Sequence, residues 1–176
     1  MEVFWQQGYQ GASVQDLVEA TGLQRGSLYG AFGDKRGLFM AALSAYAGGF
    51  VEALRSQLTG DDPLASLRQF IRDSGDGALG HGAVRGCMVG NTCAELSAHD
   101  DEAREHVAGF VAELRDTMSE ALQRAQANGT FGADRDPQIV ATFLQCGLQG
   151  LALLARTRPE PTMIYGVVDE ILRSLD

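Results

Sequence analysis

The chain has 176 residues and is 45% hydrophobic, enough to bury a core in one ordinary domain or in a small module fused to a larger one. A formal net charge of -9 argues against a non-specific nucleic-acid binder, whose phosphate affinity needs broad basic patches. Three cysteines are too few and too odd in number for a disulfide framework, MEVFWQQGYQ lacks the basic-then-apolar order of a signal peptide, and no run of about 18 uncharged apolar residues occurs, so a cytoplasmic protein with free thiols and no membrane partner is expected.

Helical spacing recurs along the chain without an alternating β pattern of useful length, which predicts an all-α fold. The first clear unit is SVQDLVEATGLQRGSLYGAF, from Ser13. Ser13 followed three residues later by Asp16 predicts a capping box, and Val14, Leu17 and Val18 give the short helix one apolar side. Thr21-Gly22-Leu23 then turns the chain, glycine supplying positive φ. A second short helix follows, with Leu28 and Phe32 expected to face inward. Two such helices joined by a three-residue turn form a helix-turn-helix, whose second helix can enter the DNA major groove. Its outward Gln24, Arg25, Ser27 and Tyr29 can donate hydrogen bonds to bases or phosphates, and Gly26 leaves room for a close partner. Residues 1–46 hold three basic and four acidic side chains, so most of the acidic excess lies beyond them. Lys35, the only lysine, stands where the next helix begins after Asp34.

A helix is expected to start near Pro63. The glycine-rich stretch DSGDGALGHGAVRGCMVG, residues 73–90, is expected to break the helical pattern and act as a mobile connection; it contains no phosphate-binding G-x-x-x-x-G-K-[ST]. Another helix should begin near Cys87. His81, Cys87, Cys93 and His99 recur every six residues, a spacing that turns successive side chains of a helix to different faces, so no metal site is expected. Val107, Phe110, Val111, Leu114, Met118, Ala121, Leu122 and Ala125 draw one apolar stripe, opened by Asp100 or Asp101 and closed by Asn128-Gly129.

Residues 137–158 (PQIVATFLQCGLQGLALLARTR) are apolar on nearly every side. Such a helix must be covered all round. Either it is the central helix of a monomer or, as preferred here, a second subunit covers it together with the last helix, whose stripe runs through Met163, Ile164, Val167, Val168, Ile171, Leu172 and Leu175. The expected homodimer residues are Phe143, Gly147, Gly150, Leu151, Leu154, Val168 and Leu172. No G-x-S-x-G, H-E-x-x-H or nucleotide-binding fingerprint is present, and no enzyme, catalytic residue or cofactor is expected.

The segment GYQGASVQDLVEATGLQRGSLYGAFGDKRGLFMAAL resembles the DNA-binding segment of the TetR family of bacterial transcriptional repressors, in its Gly-Tyr, Gly-Ser-Leu-Tyr and Leu-Tyr-x-x-Phe-x-x-Lys patterns. The resemblance implies a DNA-binding domain over residues 1–46 and a helical effector-binding and dimerisation domain over 47–176. It implies a homodimer on double-stranded operator DNA, released by a small-molecule effector. The implied DNA-contacting set is Ser13, Gln24, Arg25, Gly26, Ser27, Tyr29 and Lys35, with Tyr29 and Lys35 on phosphates. Cys87, Asn91, Phe110 and Phe143 are candidates for the effector site. Two departures stand out: Gln24 replaces the family's common Ser or Thr, removing a helix-capping hydroxyl, and the chain begins inside what should be the first helix, so a missing preceding turn is expected. Two alternatives remain: a helical dimeric ligand-binding protein without DNA binding, and a repressor variant that senses electrophiles or oxidants through Cys87.

Overall fold

The structure is a computed structural model and describes residues 1–80 and 83–176. Among the described residues the chain forms nine α-helices and no strand: Glu2–Gly11 (α1), Val14–Thr21 (α2), Arg25–Phe32 (α3), Lys35–Gln57 (α4), Pro63–Leu79 (α5), Met88–Leu96 (α6), Asp101–Ala127 (α7), Pro137–Ala155 (α8) and Pro161–Arg173 (α9). They gather into two compact units. One comprises Met1–Gly49 with Cys87–Phe110, the other Phe50–Gly86 with Val111–Asp176.

The first unit is built on aromatic contacts. Phe4 meets Phe39 edge-on with ring centres 5.2 Å apart, and Tyr9 lies 5.0 Å from the same ring. Ala12, Leu17, Leu28, Leu43, Met88, Val89 and Leu96 complete a buried core. The segment after residue 86 thus contributes α6 and the start of α7 to the same unit as the helix-turn-helix. One inward assignment does not hold: Phe32 is 41% exposed while Leu28 is buried. Phe32 ends an eight-residue helix against Gly33, and a spacing of four places it on Leu28's side without guaranteeing a neighbour beyond the last turn.

In the second unit α5, α8 and α9 pack on one another. Helix α5 continues through the first part of the glycine-rich stretch, to Leu79, where a break was expected. The reason is packing: a Cβ at Gly75 would stand 2.6 Å from Cγ2 of Val168, so glycine here lets α9 approach. Of the α7 stripe, Leu114, Met118, Ala121, Leu122 and Ala125 are buried in this unit, while Val111 is exposed. Asp136 caps α8 by accepting from the amides of Gln138 and Ile139, and Pro137 takes the first helical position.

Helices α4 and α8 are long and apolar enough by composition to cross a membrane. Their apolar side chains instead supply cores, through Phe39, Leu43, Val51 and Leu54 from α4 and Val140, Ala141, Leu144 and Leu151 from α8.

Candidate nucleic-acid interface

Helix α2 starts with the full capping box. The Asp16 amide donates to Ser13 Oγ at 3.1 Å, and the Ser13 amide donates to Asp16 Oδ2 at 2.9 Å. The Ser13 hydroxyl, donating to Asp16 Oδ2 at 2.7 Å, and then the Ser13 amide hold the Asp16 carboxyl below its ordinary range. Gly22 ends the helix with φ 67°. Thr21 stitches the turn, its hydroxyl donating to the Leu17 carbonyl at 2.7 Å and accepting from the Leu23 amide at 3.3 Å.

Gln24 is the N-cap of α3 and makes no side-chain cap, as the missing hydroxyl implied; its carbonyl accepts from the Ser27 and Leu28 amides. Only Leu28 of this helix is buried. Gln24, Arg25, Gly26 and Ser27 are all exposed, as is Ser13, while Tyr29 is half-buried. The Arg25 guanidinium lies over the Tyr29 ring at 5.3 Å, so the two share one face of α3. A Cβ at Gly26 or Gly30 would meet nothing within 4 Å, which leaves that face bare.

Asp34 caps α4, accepting from the Gly37 amide at 2.8 Å. Lys35 follows, half-buried, with Nζ 4.8 Å from the Tyr9 ring centre and 3.5 Å from the Gln10 carbonyl oxygen. Arg36 turns the other way. It forms a two-pronged ion pair with Asp100 and reaches Glu102 at 2.7 Å. Asp100 also caps α7 through the Ala103 amide at 3.0 Å. Chiefly through Arg36, the Asp100 carboxyl is held down at about 2.

The remaining predicted residues fall in different places. Cys87 is the N-cap of α6, its sulfur accepting from the Gly90 amide at 3.4 Å. Burial pushes the neighbouring Tyr46 phenol above its ordinary range, and the thiol adds to the shift. Asn91 is half-buried and Phe110 buried in the first unit, whereas Phe143 belongs to the second and is exposed. Leu151, Val168 and Leu172 are buried in this chain's own core. Gly147 serves α9 within the chain, since a Cβ there would lie 2.7 Å from Ile171 Cδ1. Gly150 and Leu154 are half-buried. Of the spaced His and Cys set, His81 lies outside the described residues; among those described, no group of three or more His, Cys, Asp or Glu gathers to hold a metal.

Sequence reasoning named Asp100 as an opener of α7 but missed Glu95 and the pairing of Arg36 with Asp100. Glu95 accepts from the amides of Tyr9 and Gln10, at 3.0 and 2.8 Å. These partners are more than 60 positions apart in sequence, beyond the reach of any local spacing rule.

Comparison with known proteins matches residues 1–42 to the family model for bacterial regulatory proteins of the tetR family, and residues 63–169 to that for the tetracyclin repressor-like C-terminal domain. The transcriptional regulator AcuR of Cereibacter sphaeroides is 33% identical over 165 residues, covering 92% of this chain and 75% of that protein. The HTH-type transcriptional repressor ComR of Escherichia coli is 31% identical over 158 residues, covering 89% of this chain and 75% of its own length. Among solved structures, a cysteine mutant of the TetR family transcriptional regulator CifR complexed with 26-bp double-strand operator DNA superposes with a TM-score of 0.84 at 30% identity, covering 99% of this chain and 92% of that one.

Proposed function

The chain belongs to the TetR family of bacterial DNA-binding transcriptional regulators, and on that premise we propose that it is a repressor whose α3 reads operator DNA and whose release is governed by a small molecule. Residues 1–46 form the DNA-binding part and 47–176 the effector-binding and dimerising part; it works as a cytoplasmic homodimer and catalyses no reaction. The observation that carries this reading is the face of α3. Gln24, Arg25, Gly26 and Ser27 stand exposed in a row, Arg25 is braced over Tyr29, and Lys35 lies at the start of the next helix. Arg25 and Gln24 have the donors that base edges accept, while Tyr29, Lys35 and Ser13 suit phosphates.

Charge supports specific over indiscriminate binding. With three basic side chains against four acidic ones in residues 1–46, few phosphate contacts are available, so affinity must lean on a fitted groove. In a two-fold dimer the two copies of α3 would enter successive major grooves about 34–36 Å apart. An effector that prefers a different separation of the two helices shifts the population away from DNA. Cys87, Asn91 and Phe110, all of the first unit, are the proposed effector contacts, and the exposed side of α8, with Phe143, Gly150 and Leu154, the proposed dimer surface.

A second reading, thiol-based control of the same repressor, is favoured by one observation: the Cys87 sulfur accepts an amide hydrogen bond as the cap of α6, so an electrophile or oxidant that modified it would disturb the start of that helix. Treatment with N-ethylmaleimide tests it. Modification at Cys87 that leaves DNA binding intact rules it out.

The principal test is selection of a random-sequence duplex pool by the purified protein, followed by gel retardation. The proposal expects enrichment of a palindromic sequence with half-sites about one helical turn apart. Failure to enrich any sequence favours the helical dimer without DNA binding.

A further inference from the structure

We propose that Glu95 is a positioning residue for DNA binding, its carboxylate fixing the Tyr9-Gln10 backbone that seats Lys35. The local geometry starts at Gly8. With φ 74° and ψ -179°, Gly8 interrupts α1, so the amides that follow it cannot continue the helical hydrogen-bond pattern. Glu95, projecting from α6, takes both of them with one oxygen each: the Tyr9 amide donates to Oε2 at 3.0 Å and the Gln10 amide to Oε1 at 2.8 Å. The positive φ favours glycine here, and a Cβ at residue 8 would stand 2.6 Å from Oε2, so that Glu95 would have to shift from its two amides.

The two residues held in this way are the ones that hold Lys35. Its ammonium lies 4.8 Å from the Tyr9 ring centre and 3.5 Å from the Gln10 carbonyl oxygen. Tyr9 is braced from behind by Phe39, 5.0 Å away. An ammonium on a four-carbon stem loses much rotational freedom when it binds, and a preformed seat removes part of that cost. Helix α6 is tied to the same unit at its other end, where Cys87 interacts with Tyr46, which itself meets Trp5 of α1 edge-on at 4.9 Å. A shift of α6 therefore acts on α1 at two points, and through Glu95 it reaches the lysine.

This inference rests on the reading that Lys35 meets a DNA phosphate. The test measures affinity of the full-length protein for its selected duplex, by fluorescence anisotropy across a salt series, for wild type, Glu95→Ala, Glu95→Gln, Lys35→Ala and the Glu95→Ala/Lys35→Ala double variant. Emission from Trp5, the only tryptophan, checks that α1 stays in place. Glu95→Ala is expected to weaken binding several-fold and, like Lys35→Ala, to lower the salt slope by about one per half-site. The double variant should bind no worse than Lys35→Ala alone, because coupled residues are not additive. Glu95→Gln keeps one acceptor oxygen and should fall between, and it replaces Glu95→Ala in the comparison if that variant unfolds. Additive losses with an unchanged salt slope in the Glu95 variants overturn the proposal while leaving the phosphate reading of Lys35 intact. An unchanged slope in Lys35→Ala itself overturns both.

Discussion

Ile171 of α9 reaches so far toward α8 that a Cβ at Gly147 would stand 2.7 Å from its Cδ1 and 3.0 Å from its Cγ1. Gly147→Ala must therefore push the two helices apart or force Ile171 into another rotamer, and about 1–3 kcal/mol of stability should be lost. Gly109→Ala, on the exposed side of α7, is the control. A Cβ there meets nothing within 4 Å, and alanine in a helix interior should gain up to about 1 kcal/mol. Urea midpoints of the two variants should move in opposite directions; equal midpoints would contradict the packing described.

The exposed side of α8 carries Ile139, Phe143 and Leu153 at 66%, 52% and 68% exposure, with Met163 of α9 also exposed. Phe143→Asp places a charge within this apolar set and should shift sedimentation from dimer toward monomer without lowering the thermal midpoint of the subunit. Leu151→Ala, at a position buried inside the chain, should do the reverse, costing about 2–5 kcal/mol of stability with association kept. A dimer that survives Phe143→Asp would place the interface elsewhere.

The Arg36–Asp100 pair ties the start of α4 to the cap of α7, and its contribution depends on pH in a definite direction. Asp100 titrates at about 2 in the folded chain, below its ordinary value of 3.8. Its folded state binds the proton less readily than the unfolded one, so the stabilisation is fully present above about pH 4 and is lost as pH falls toward 2. Asp100→Asn should lower the melting temperature at pH 7, and the difference from wild type should shrink as the pH is lowered through this window. A difference that stays constant from pH 7 to pH 2.5 would show that the pair contributes nothing through charge.

What was legible in the sequence was local. The Ser13–Asp16 capping box, the Gly22 turn, the uncapped Gln24 and the helix start after Asp34 each depend on residues within a few positions of one another, and the structure has them all. Glycine was read less well, because what it permits depends on a distant partner. Gly75 suggested a break and Gly147 a second subunit, yet both admit α9, through Val168 and Ile171. Phe32 carried the right spacing for burial but ends its helix, and periodicity does not register where a neighbour stops. Glu95 was invisible for the same reason: nothing near it in sequence hints at two free amides 85 and 86 positions earlier.

The most direct test of the account is the affinity of wild type and Arg25→Ala for the selected duplex and for a scrambled duplex of equal length, at one fixed salt concentration. If the exposed face of α3 reads DNA, Arg25→Ala should cost about 1–3 kcal/mol on the selected duplex and much less on the scrambled one, so that specificity narrows. Wild-type affinity and specificity in Arg25→Ala would contradict it.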